Sequence, residues 1–240
     1  MTMMMNEHTA KAFDNDLQEL TRKVSEMGGL AEREVADAIR ALTRRDAELA
    51  KRVVDSDPTI DALQQEIEEK AILTIARRQP MAVDLREVVG ALRISNDLER
   101  IGDLAKNIGK RVGAIDGDFH PHKLIRGVEH MASLVLDQLK QVLDAYVGRD
   151  LVAAHAVWAS DEQVDAMCTS LFRELLTYMM EDPRNITFCI HLMFCAKNIE
   201  RMGDHTTNIA ETVHYMVEGR PIADPRPKGD TTAFAKLSTS

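Results

Sequence analysis

The chain repeats itself, and the repeat leaves few folds open. A shift of 104 places Arg45-Asp46 on Arg149-Asp150, and Ser56, Asp57 and Asp61 on Ser160, Asp161 and Asp165. The same shift lays Leu20, Val24, Met27 and Leu30 on Leu124, Val128, Met131 and Leu134. Farther on the shift becomes 101, and residues 97–108 (DLERIGDLAKNI) overlay residues 198–209 (NIERMGDHTTNI). The identities there are Glu99/Glu200, Arg100/Arg201, Gly102/Gly203, Asp103/Asp204, Asn107/Asn208 and Ile108/Ile209. The change of shift falls in a turn, where a difference in length costs little. A duplication whose apolar positions step by three and four reads as two copies of one helical unit.

The steps predict three helices in each copy. The first runs over 12–44, carrying Leu17, Leu20, Val24, Met27, Val35, Ile39 and Leu42 on one side. Asp46 is the expected N-cap of a helix over 47–78. Gln79-Pro80 breaks the chain, because proline lacks an amide donor and restricts the residue before it. A third helix follows over 82–112. The second copy gives helices over 121–147, 150–180 and 185–217. Pro58 predicts a kink inside the second helix, whereas its equivalent, Glu162, predicts a straighter run. Short connections make neighbours antiparallel. The expected fold is all-α: two tandem three-helix bundles, six long helices in all. The expected divisions are a flexible N-terminus (1–11), a first repeat (12–114), a linker (115–120), a second repeat (121–218) and a flexible tail (219–240). Aromatic residues are only 4% of the chain, which speaks against a β-sandwich or barrel.

Charge and cysteines narrow the function. Acidic residues outnumber basic ones 39 to 30, so a general electrostatic grip on nucleic acid is not expected. Cys168, Cys189 and Cys195 lack metal-site spacing and read as reduced core thiols of a cytoplasmic protein. The N-terminus has no apolar run of the secretory kind. The longest apolar stretch, 186–196, falls well short of the roughly 20 residues that span a bilayer. Contact with a membrane is therefore expected only through partners.

The candidate site is a pair of carboxylate quartets. Asp57 and Asp61 lie on one helix face, as do Glu99 and Asp103. With 39 acids, about six such pairs arise by chance, so the spacing alone means little. Their level is informative. Asp61 and Glu99 are equidistant from Pro80, and so are Asp57 and Asp103, so an antiparallel hairpin brings all four together. Asp161, Asp165, Glu200 and Asp204 repeat the arrangement about the junction of Asp182 and Pro183. Like charges at one level repel by roughly 1–4 kcal/mol per close pair, so each quartet calls for positive charge. Oxygen-rich sites suit Mg²⁺, Mn²⁺, Ca²⁺ or iron, and zinc also accepts carboxylates. Arg100, Arg201, Lys106, Lys110 and Lys197 could instead turn the quartets into salt-bridged helix faces. Both readings stand at this point. Asn107 and Asn208 could add neutral oxygens, and Gly102 and Gly203 permit close approach of a helix or an ion.

Other candidates are weaker. His205 has Leu104 as its equivalent and reads as an incidental surface residue. Glu211-x-x-His214 lies off the quartet level. No phosphate-binding glycine loop or nucleophile elbow occurs, and nothing suggests a nucleophile–base pair.

Three motifs recurring in order resemble the PhoU family. They are Asp57…Asp61, residues 78–86 (RQPMAVDLR) and residues 98–108 (LERIGDLAKNI), with Asp161…Asp165 and residues 199–209 as a second copy. The second turn, residues 181–185 (EDPRN), departs from the first. The resemblance covers about residues 12–218. It implies two three-helix bundles, metal bound at the paired acids in some members (Mg, Mn, Fe or Zn), and frequent homodimers. It further implies negative regulation of the phosphate-starvation (Pho) response without catalysis, by linking the Pst phosphate ABC transporter, through its ATPase, to a PhoR-type sensor histidine kinase. A carboxylate-bridged phosphohydrolase and a metal-free helical scaffold are the alternatives.

Overall fold

The structure, a computed structural model, describes residues 2–115 and 122–226, with side chains described for 13–115 and 123–226. The chain forms α1 (Thr2–Arg44), α2 (Ala47–Arg78), α3 (Val83–Val112), α4 (His122–Gly148), α5 (Leu151–Ala159), α6 (Asp161–Glu181) and α7 (Ile186–Glu218), with a 3-10 turn over Pro183–Asn185. Helices α1–α3 pack on one another, as do α4–α7, and α3 against α7 and α1 against α4 join the two bundles. Among the described residues there is no strand. The fold is the expected duplicated all-α arrangement of six long helical rods, with the fifth rod divided into α5 and α6.

The duplication reaches the backbone. Arg45 and Arg149, the last residues before their capping aspartates, both take left-handed conformations, with φ 54° and 53°. Asp46 then accepts from Leu49 N at 2.9 Å, and Asp150 from Val152 N at 2.9 Å and Ala153 N at 3.1 Å. One core runs through both copies. Val24, Met27, Ile94, Ile101, Met131, Leu139, Leu192 and Met202 are wholly enclosed. The packing explains Gly102 but not Gly203. A Cβ at Gly102 would meet Ile60 Cδ1 at 3.0 Å, so glycine there lets α3 lie close on α2. One at Gly203 would meet Val164 Cγ1 at 3.4 Å, an ordinary contact.

Three expectations change. Helix α1 begins at Thr2 rather than near residue 12, since no glycine or proline interrupts residues 2–27. The run at Glu162 was expected to be the straighter one, yet the division falls in the second copy, at Ser160, while α2 continues across Pro58. There Gln138 Nε2 donates to the Ser160 carbonyl (3.2 Å) and hydroxyl oxygen (2.9 Å), while Ser160 Oγ donates to Val157 O (2.7 Å). A side chain thus competes for the helical carbonyl and the turn tightens. Finally, the tail from Gly219 onward was expected to be flexible, and no contact with the bundle was foreseen for it. Instead residues 219–226 run back along α7, with Ile222 packed on the core. The expected flexibility of residues 227–240, and the linker residues 116–120, lie outside the described residues.

Candidate functional site

Helices α2 and α3 bring the first quartet together as the hairpin requires. Asp57 is buried at 5% exposure, and Asp61, Glu99 and Asp103 are half-buried. Lys106, one turn beyond Asp103, places its ammonium between Asp57 Oδ2 (2.6 Å) and Asp103 Oδ1 (2.5 Å). Burial alone would lower the lysine pKa, but its hydrogen bonds to Asp103 and Asp57 outweigh that and raise it. Arg100 adds longer contacts to Glu99 (3.4 Å) and Asp103 (3.5 Å). Burial, reinforced by the Asp57 charge, pushes Asp61 up. Burial likewise pushes Glu99 up, against Arg100, with Asp103 adding to the rise.

Beneath this quartet lies a carboxylate that the spacing did not point to. Glu34, on α1, is 6% exposed. Its Oε1 accepts from Ser56 Oγ at 2.8 Å, while its Oε2 is buried without a partner. Burial pushes its pKa up to about 7, against the Ser56 hydrogen bond, and Asp57 and Asp61 push the same way. The 104-residue shift could have found it, because Glu34 falls on Gln138 as Ser56 falls on Ser160.

The second quartet has the same four acids and a different counter-ion. Asp161 and Asp165 are buried, and Glu200 and Asp204 half-buried. Position 207, equivalent to Lys106, is Thr207, which reaches only Asp161 Oδ1, at 3.0 Å. The positive charge comes from the tail. Arg226 forks onto Asp161, with Nε to Oδ2 at 2.8 Å and Nη2 to Oδ1 at 2.9 Å. It also reaches Asp204 Oδ1 at 2.7 Å and Asn208 Oδ1 at 3.4 Å. Lys197 pairs with Glu200 Oε1 at 2.7 Å, leaving Glu200 Oε2 buried without a partner. Burial pushes Glu200 up, against Lys197. Arg226 had no counterpart in the repeat, so no pattern could reveal it.

All eight expected acids therefore gather into two sites, with internal cations at both. Among the described residues, no group of three or more His, Cys, Asp or Glu side chains is arranged to hold a metal as it stands. The donor chemistry still suits a hard cation: every carboxylate offers oxygen, and Glu200 Oε2 is an unused buried donor. A metal would have to take the place of the ammonium or the guanidinium.

The remaining candidates have structural partners. His205 is half-buried rather than an incidental surface residue, and its Nδ1 meets Asp97 Oδ1 across the bundle interface at 2.8 Å. Trp158 Nε1 donates to Glu211 Oε1 at 3.2 Å, and His214 packs edge-on against His155. The three cysteines are buried, and burial pushes the Cys195 thiol up to about 12, which suits inert core sulfur. No described helix is long and apolar enough to cross a membrane.

Comparison with known proteins covers nearly the whole chain. The family described as "PhoU domain" matches twice, at residues 24–112 and 128–213. The phosphate-specific transport system accessory protein PhoU homolog of Rhizobium meliloti is 58% identical over 96% of this chain and 97% of its own length. The homolog of the same description from Caulobacter vibrioides is 54% identical over 94% of this chain and 98% of its own. Among solved structures, PhoU from Pseudomonas aeruginosa superposes with a TM-score of 0.82 at 36% identity, covering 87% of this chain and 100% of that one. The phosphate transport system regulatory protein PhoU from Streptococcus pneumoniae gives a TM-score of 0.82 at 27% identity over 88% of this chain and 99% of that one.

Proposed function

The chain belongs to the PhoU family of non-catalytic accessory proteins of phosphate-specific transport, and on that premise we propose that it represses the phosphate-starvation response when phosphate is plentiful. It does so as a cytoplasmic adaptor, a homodimer, linking the Pst transporter ATPase to a PhoR-type sensor kinase. The observation that carries this reading is the match of both repeats and nearly the full length to accessory proteins of phosphate-specific transport. The residues are compatible with it. Long helical faces suit helix docking, and a net charge of −9 disfavours direct adhesion to an anionic leaflet. Deleting the gene should raise an alkaline phosphatase reporter in high phosphate. The purified protein should be retained by the kinase's cytosolic domain and by the ATPase, but not by protein-free liposomes. Normal repression in the deletion strain would sink the reading.

At the quartets the proposal is exchange of cations. A divalent or iron ion, when bound, would supply the positive charge that Lys106 and Arg226 supply in its place, held by Asp57, Asp61, Glu99 and Asp103 or by Asp161, Asp165, Glu200 and Asp204. The metal-free scaffold is the second reading, and the short Lys106 and Arg226 contacts favour it. Elemental analysis of protein purified without chelator or a His-tag column separates the two. Neutralising Glu99 and Asp103 to Gln and Asn should halve the metal content under the first reading and leave it unchanged under the second.

A further inference from the structure

Residues 219–226 cross the surface in an unusual way. Gly219 turns the chain at the end of α7 with φ 75°, a conformation that favours glycine. The chain then doubles back to place Arg226 at the level of Asp204. From Asp204 to Gly219 the helix rises about 22 Å, a distance that seven residues and the length of the arginine side chain together can span. It is anchored at two points: Ile222 packs against the core, and Arg226 enters the second quartet. Among the described residues, 220–226 make no backbone hydrogen bond to the helices. Beneath the strap a cavity of about 430 Å³ opens between α3 and α7, walled by Asp97, Asn208, Glu211 and Tyr215 and roofed by Pro221 and Ile222.

The receiving end is a built guanidinium site. Asp161 has a side chain only 4% exposed and holds the fork in two parallel hydrogen bonds, while Asp204 and Asn208 complete the cradle. A buried carboxylate left without a counter-charge is costly, and Thr207 offers it only one neutral hydrogen bond. Whatever displaces the strap must therefore bring positive charge to the same place, and a second guanidinium would fit the fork best. The strap is fixed by two side chains and no backbone ladder, so it is among the parts of the fold that open most easily.

We propose that the groove along α7 beneath residues 219–226 is a docking site for an extended, arginine-bearing segment of a partner protein, and that the chain's own tail occupies it in cis. The ligand has an apolar residue four positions before an arginine, as Ile222 stands before Arg226. The tail acts as a tethered competitor at an effective concentration in the millimolar range, so a partner segment binds well only where it outcompetes the tail or where the tail is already drawn away. This goes beyond the metal reading and does not depend on it.

The test uses a fluorescently labelled, end-capped peptide of residues Gly219–Arg226 and the full chain, in EDTA so that metal plays no part. Arg226→Gln should bind the peptide at least tenfold more tightly than the unaltered protein. A peptide carrying Gln in place of its last arginine should not bind. Adding Asp161→Asn to Arg226→Gln should abolish uptake, which general attraction between a basic peptide and an acidic protein would not predict. Should Arg226→Gln fail to fold, Arg226→Lys keeps the charge, loses the fork and should show the same ordering with smaller amplitude. Equal affinity for the altered and unaltered proteins overturns the proposal, as does no uptake by either. So does release of the strap by Mg²⁺ or Mn²⁺ in a protein that takes up no peptide, an outcome that leaves the metal reading standing.

Discussion

The two carboxylate sites hold the same acids in the same places and solve the resulting repulsion differently. In the first, the cation is Lys106, one turn along the helix that carries Asp103, so its tether is a single side chain on α3. In the second, that position is Thr207, and the cation is Arg226, reaching in from outside the bundle. A second difference lies beneath them. Glu34 adds a fifth carboxyl to the first site, where the second has the neutral, similarly shaped Gln138. Duplication supplied two equal frames. The first has a fixed counter-ion and an added titratable acid, whereas the second has a detachable counter-ion and no such acid.

Removing each cation should break the comparison most visibly. Lys106→Met leaves the buried Asp57 facing the other acids in a packed environment. Losing one partner of a buried pair costs about 3–5 kcal/mol, and the partial exposure of Lys106 reduces the expected loss to about 3 kcal/mol. Arg226→Gln removes an equally well-placed partner, but the strap can lift and let water reach Asp161, so about 1 kcal/mol is expected. Urea denaturation of the two variants at pH 7 and one salt concentration checks the order. Equal losses would mean that the strap is as fixed as α3.

The added acid makes the first site pH-dependent. Glu34 faces Ser56, Asp57 and Asp61 of α2 and Lys106 of α3. Its folded pKa of about 7 stands above the ordinary 4.5, so the folded protein holds this proton more firmly than the unfolded chain. The stability this provides is fully present below about pH 4.5, falls between pH 4.5 and 7, and is gone above. At about 1.4 kcal/mol per pKa unit, the loss is of the order of 3.5 kcal/mol. Glu34→Gln copies the second site, where Gln138 already satisfies a serine. It should raise the melting temperature at pH 8, leave it nearly unchanged at pH 4.5, and flatten the profile between. Gln138→Glu should do the reverse at pH 8. An unchanged profile in Glu34→Gln would show that the unpaired Oε2 is solvated.

Much of this was legible in the sequence, and the failures share a cause. Helix order, the capping aspartates and the levels of all eight acids follow from periodicity and mirror spacing, which depend only on a residue's own neighbourhood and on one turn. Glu34 was missed because its burial depends on packing between α1 and α2, although its pairing with Gln138 was there to be read. The break at Ser160 was missed because Glu162 carries no local breaking signal, whereas the Gln138 amide that captures the Ser160 carbonyl arrives from another helix. Arg226 lay in a segment with three prolines and no periodicity. Composition of that kind marks the absence of a helix and is silent on whether one side chain has a partner.

The smallest expected effect gives the sharpest comparison. If the strap is needed because Thr207 is too short, then Thr207→Lys should make it dispensable by rebuilding the first site inside the second. The new ammonium would lie one turn beyond Asp204, as Lys106 lies beyond Asp103, and could bridge Asp161 and Asp204 from within α7. With both cations present they compete for the same oxygens, so Thr207→Lys alone should change stability by no more than about 0.5 kcal/mol. The information is in the coupling. Arg226→Gln, expected to cost about 1 kcal/mol in the unaltered protein, should cost close to nothing beside Thr207→Lys, a difference that a double-mutant cycle resolves. The strap itself gives a second readout. Displaced by an internal lysine, residues 219–226 should lose protection from proteases while the melting temperature stays nearly constant. Additive losses with an unaltered cleavage pattern would show that Arg226 and position 207 act independently, and that the two sites differ by more than the origin of their counter-ion.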